Sequence, residues 1–198
     1  MDTLMRTATA IAWVWAGAAM AAAEPGQPAP DFTARNLAGE PVGLAQFRGR
    51  TVVLEWNNPN CPYVRKHYDS GNMQRLQRAK GEVVWLAVNS TNPESGDFMG
   101  PAALARWLAD GGAAPSHYLP DPDGRIGRAY GAKTTPHMYV IDGKGTLVYA
   151  GAIDDRRSAN VADVPGARNH VAEALAAVAA GRPVANASTQ PYGCSVKY

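Results

Sequence analysis

Apolar runs rich in β-branched residues alternate with segments of helical spacing, and clusters of Pro, Gly, Asn and Asp divide them. Residues 31–35 alternate enough for a short strand, and a turn carrying Gly39 follows. Residues 51–54 and 82–88 are near-continuous apolar runs bounded by turn residues, the pattern of strands buried on both faces. Residues 63–80 read as a helix ending at Gly81, with Gly71 and Asn72 as points where it can kink. Residues 101–109 form a helix with Pro101 in its first turn and Gly111-Gly112 beyond its end. Residues 117–119 are a short strand, and residues 125–130 a short helix stopped by Gly131. Residues 137–141 and 146–150 flank Asp142-Gly143-Lys144-Gly145 and read as a hairpin. Residues 168–180 place Val171, Leu175 and Val178 at helical spacing before Gly181. The order is strand, helix, strand, helix, strand, helix, hairpin, helix. It predicts an α/β fold with a mixed sheet flanked by helices on both faces.

Length and charge narrow the class. A chain of 198 residues builds one core without staples. The formal charge of +2 is close to neutral and the Lys and Arg residues are scattered, so no nucleic-acid surface is predicted. Residues 7–23 carry no charge and end in Ala21-Ala22-Ala23 before Glu24-Pro25. This reads as a secretory signal peptide over residues 1–23, with an uncleaved anchor as the other reading. The division is therefore a leader, a folded domain over 24–185 and a polar tail over 186–198. The expected location is outside the cytoplasm, in the periplasm or secreted.

The candidate chemistry centres on Cys61. It follows the strand at 51–54 and the turn Asn57-Asn58-Pro59-Asn60, and it immediately precedes Pro62. Pro is favoured at the first helical position, which puts Cys61 at a helix N-cap. Unpaired backbone N–H groups and the positive end of the helix dipole favour a thiolate there. Arg65 and Lys66, about one turn on, are candidate thiolate stabilisers; solvated first-turn charges are the other reading. Glu55, near the end of a buried strand, is unusual and is a candidate proton acceptor or partner of a basic residue. His67 is expected at the surface and His137 as a packed side chain. His67, His117, His137 and His170 are too dispersed with one Cys to predict a metal site. No cofactor is expected. Cys194 is the only other cysteine, and an exported compartment permits a disulfide, but spacing does not decide whether the two pair.

A reactive Cys at a strand-to-helix turn, Thr135-Pro136 before a later strand, and a hairpin followed by a helix together resemble the thioredoxin-like superfamily. Within it, Cys61-Pro62-Tyr63-Val64 and the ending Gly193-Cys194-Ser195-Val196-Lys197-Tyr198 are similar to the peroxiredoxin-like alkyl hydroperoxide reductase/thiol-specific antioxidant proteins. The resemblance covers residues 25 to 198. It implies a thioredoxin-like fold and a cis Pro136 facing Cys61, with Thr135 and Pro136 presented to substrate. It also implies that Cys61 attacks a small peroxide or a protein disulfide. Cys194 would then resolve the oxidised sulfur, reached by a flexible tail, and an external thiol or dithiol would reset the pair. The sequence departs from the family in three respects, and the first is that Asn58 stands where relatives of this subgroup often carry a further Cys. Val64 stands where a Cys-x-x-Cys pair needs its second thiol. Asn58 stands where typical peroxiredoxins carry a Thr that holds the peroxide, so Asn58 becomes the candidate at that position. A non-catalytic thioredoxin-fold scaffold with a structural Cys61–Cys194 bridge is the competing reading. Nothing in the pattern sets the oligomeric state.

Overall fold

Strand β3 (Thr51–Trp56) sits at the centre of a five-stranded sheet. The computed structural model describes residues 22–78 and 83–198, so all but the last two residues of the expected leader lie outside it. The sheet order is β5 (His117–Pro120), β4 (Val83–Asn89), β3, β7 (His137–Ile141) and β8 (Leu147–Gly151). β3 runs parallel to β4 and β4 to β5, whereas β7 and β8 join antiparallel. Two short strands, β1 (Thr33–Arg35) and β2 (Pro41–Gly43), form a separate hairpin. Among the described residues no helix is long and apolar enough to cross a membrane.

The period-two alternation of strands decides which side chains meet which helices. Val52, Leu54 and Trp56 of β3 pack with Val84, Leu86 and Val88 of β4 against Ile126 and Tyr130 of α4 (Arg125–Tyr130). Val53 and Trp85, with Met138 and Val140 of β7, face α1 (Pro62–Asp69), α2 (Asn72–Gln77) and α5 (His170–Ala179) through Val64, Tyr68, Met73 and Val171. Ala87 and Tyr118 receive Leu104 of α3 (Pro101–Asp110) on that same side.

Two expectations change. The helix expected over 63–80 is two helices, because Gly71 adopts φ 68° and opens α2 instead of continuing α1; its expected end lies outside the described residues. The tail expected to be flexible is packed. Ala150 N–H donates to the Ala187 carbonyl (3.0 Å), and further on β9 (Cys194–Ser195) pairs antiparallel with β6 (Thr134–Thr135).

Candidate active site: two thiols at the Thr135 edge

The turn after β3 is built from its own polar groups. Asn58 Oδ1 accepts from Asn60 N–H (2.8 Å) and its carbonyl from Cys61 N–H (3.0 Å), the local bonding that makes Asn a turn former. Cys61 is the N-cap of α1, and its carbonyl accepts from both Val64 and Arg65 N–H at 3.0 Å. The position is as expected, but the residue is buried, only 3% exposed. Its thiol donates to the Thr135 carbonyl at 2.9 Å. The Thr135–Pro136 peptide bond is cis.

Cys194 reaches the same place from the far end of the chain. It lies opposite Thr135 in the β6–β9 ladder, and both cysteines are free thiols. Burial, and then the Cys61 thiol hydrogen-bonded beside it, push Cys194 up to about 12. It is therefore a protonated thiol at neutral pH. No tail movement is needed to bring it near Cys61. The Thr135 hydroxyl is buried and without a partner among the described residues.

Other candidates fall elsewhere. The Asn58 amide donates to Thr91 Oγ1 (3.3 Å), so both ends of that side chain serve the loop. Arg65 lines a groove of about 560 Å³ with Pro59, Asn60, Tyr68 and Trp107, beside the Cys61 turn. Lys66 is neither a solvated charge nor aimed at the sulfur: its buried ammonium meets Asp154 (3.4 Å), the Arg156 carbonyl (2.6 Å) and Tyr192 Oη (3.4 Å). His67 is likewise buried, not at the surface, with Nε2 3.2 Å from Tyr192 Oη and Nδ1 2.9 Å from Asn72. Burial is the first cause that lowers it to about 4. His137 is a packed side chain whose Nδ1 accepts from Lys133 N–H (3.3 Å), and burial lowers it to about 3.

Glu55 is fully buried and accepts from Asn57 Nδ2 (2.7 Å), Trp85 Nε1 (2.7 Å) and Tyr68 Oη (2.9 Å). Burial raises its pKa against those three donors. Among the described residues its partners are these neutral groups, not a basic residue. Sequence reasoning passed over Asp154 and Tyr192 and gave Gly193 no role beyond its place in the ending motif. The available signal was an aromatic and a Gly directly before Cys194; nothing local marks Asp154.

A model of the AhpC/TSA family matches residues 25–150. The Thioredoxin-like protein YneN of Bacillus subtilis (strain 168) is 29% identical over 123 residues, covering 62% of this chain and 68% of that protein. The crystal structure of an uncharacterized conserved protein from Geobacillus kaustophilus superposes with a TM-score of 0.73 at 27% identity, covering 88% of this chain and 92% of the other. A putative thiol:disulfide interchange protein DsbE from Chlorobium tepidum gives 0.52 at 26% identity, over 65% and 85%. The fold is thioredoxin-like.

Proposed function

The chain belongs to the AhpC/TSA family, and from that premise we propose that it is a two-cysteine thiol oxidoreductase in which Cys61 is oxidised and Cys194 resolves it. One observation carries the reading: both thiols converge on Thr135, Cys61 through its carbonyl at 2.9 Å and Cys194 across the ladder.

The Cys61 thiolate attacks the nearer oxygen of a hydroperoxide, the O–O bond breaks, and the leaving alkoxide or hydroxide takes a proton. Cys61 is now a sulfenic acid and the peroxide is reduced to alcohol or water. The protonated Cys194 thiol condenses with it, releasing water and forming the Cys61–Cys194 disulfide. A dithiol reductant then exchanges with that disulfide, leaving as its own disulfide and restoring two thiols. Val64 excludes a dithiol within the turn, so Cys194 takes that part. We place the protein outside the cytoplasm, directed there by residues 1–23; N-terminal sequencing of the exported form, starting near Glu24, tests this.

Mass spectrometry after stoichiometric hydrogen peroxide tests the cycle. The native chain loses two hydrogens as the bridge forms, and the Cys194→Ser variant instead gains one oxygen on Cys61. If neither thiol changes, the reading is wrong. The packing of Cys194 against the cluster that holds Tyr192, with Tyr198 tied to the Ala132 carbonyl, favours a second reading, a static bridge holding the tail. That reading predicts a reduction potential below about −300 mV with unfolding on reduction.

A further inference from the structure

The backbone edge beside the Cys61 sulfur is already taken by the chain's own tail. Cys194 pairs opposite Thr135 and Ser195 opposite Thr134, and Val196 N–H donates to the Lys133 carbonyl (3.1 Å). Gly193 crosses the Thr135 carbonyl so closely that a Cβ there would lie 2.0 Å from its oxygen, and its φ of 139° suits glycine. The strand is anchored on both sides. Upstream, Tyr192 packs edge-on against Tyr63 of α1 (5.9 Å) and donates its hydroxyl to Asp154. Downstream, the Lys197 carbonyl accepts from Asn92 N–H (2.7 Å), and Tyr198 Oη donates to the Ala132 carbonyl (2.8 Å).

An unpaired strand edge is a template for an extended peptide. Cys194 shows the pose: a cysteine paired opposite Thr135 brings its sulfur to Cys61. A polypeptide disulfide that used this edge needs the ladder position that Cys194 occupies. A hydroperoxide is a few atoms across and needs no ladder.

Resting on the thiol reading above, we propose that the 193–195 segment occupies the Thr134–Thr135 edge as an internal stand-in for substrate and sorts oxidants by size. Cys61 reacts with small hydroperoxides while the strand is in place. It reacts with polypeptide disulfides only when the strand is off the edge. In that second reaction the Cys61 thiolate attacks one sulfur of the substrate, a Cys61–peptide disulfide forms, the substrate S–S bond breaks, and the other sulfur leaves as a thiolate. Gly193 and Tyr192 are the specificity-determining positions.

The test uses the full chain carrying Cys194→Ser, so that only the first step is read. Adding Gly193→Ala drives a methyl into the Thr135 carbonyl and displaces the strand. Cys61 consumption is followed with hydrogen peroxide and, separately, with insulin as the polypeptide disulfide. The rate with insulin rises about tenfold or more, with the mixed disulfide seen by mass, while the peroxide rate moves less than about threefold. Adding Tyr192→Phe instead, which introduces no clash, raises the insulin rate by a smaller factor in the same direction. Insulin rates unchanged in both variants, or insulin and peroxide rates moving together, overturn the sorting role and leave the thiol cycle standing. A Cys194→Ser parent inert to peroxide overturns the cycle itself.

Discussion

Helix α1 carries two buried polar clusters that solve the burial of a carboxyl group in opposite ways. Tyr68 faces Glu55, whose other donors are the neutral Asn57 and Trp85; Tyr118 Oη and Asn89 extend the set through Asn57 (3.0 Å) and Tyr118 (3.0 Å). Lys66 and His67 face Asp154, which also receives the Tyr192 hydroxyl. Neutral donors offset only part of the cost of burying a carboxylate, so Glu55 is pushed toward its protonated form. An ammonium at 3.4 Å makes Asp154 half of an ion pair instead. The clusters also differ in reach. The first joins β3, β4, β5 and α1, elements that already pack together in the core. The second ties α1 to the tail that carries Cys194. The lesson is that the tail is held by an electrostatic clamp, and the sheet beneath Cys61 by a lattice of hydrogen bonds from uncharged donors.

The largest expected effect comes from removing the charge of the clamp. Asp154→Asn leaves the Lys66 ammonium buried without its counter-ion. It should cost about 3–5 kcal/mol in urea unfolding at neutral pH. A loss under about 1 kcal/mol would mean that water already solvates Lys66.

Tyr192→Phe touches the clamp more lightly. It removes the hydroxyl that donates to Asp154 and also meets Lys66 and His67, and should cost about 1.5–3 kcal/mol. It should also speed alkylation of Cys194, because the strand next to Tyr192 loses its anchor. Faster alkylation with no loss of stability would separate anchoring from folding.

The smallest effect separates the clusters by the sign of their pH dependence. The folded pKa of Glu55 is raised above 4.5, so its stabilisation is full below that value and is lost as pH rises through the folded pKa. His67 is lowered from 6.5 to about 4, so its stabilisation is full above 6.5 and is lost as pH falls toward 4. Each slope is at most about 1.4 kcal/mol per pH unit. Unfolding free energy measured between pH 4 and 7 should fall more steeply toward acid in Glu55→Gln than in the native chain. The slope should be shallower in His67→Gln. His137, lowered to about 3, acts in the same direction as His67 and persists in both variants. Identical slopes in the two variants would refute the contrast.

Much of the site was legible because it is made of neighbours in sequence. The run before Cys61, the Asn/Pro turn and Pro62 together give strand, loop and capped helix, each from interactions a few residues long. The strand β7 and the hairpin followed from an apolar run and a Gly-rich turn in the same way. Lys66 and His67 misled because basic side chains on a helix that follows a polar turn normally face water. What buries them is Asp154 and Tyr192, distant in sequence, and no local pattern announces either. β9 escaped notice because two residues cannot show a period; its pairing is dictated by the free edge of β6.

The amino-acid order alone thus set the position of Cys61 at a strand-to-helix turn, the alternation of strands and helices, and the presence of two thiols. It did so because capping, turn chemistry and hydrophobic period act over a handful of residues. Only the packed chain decided that Cys61 is buried, that Cys194 is already beside it, and that the tail covers the Thr135 edge. Those outcomes depend on where α1, β6 and the last residues converge, and convergence is a property of the whole core.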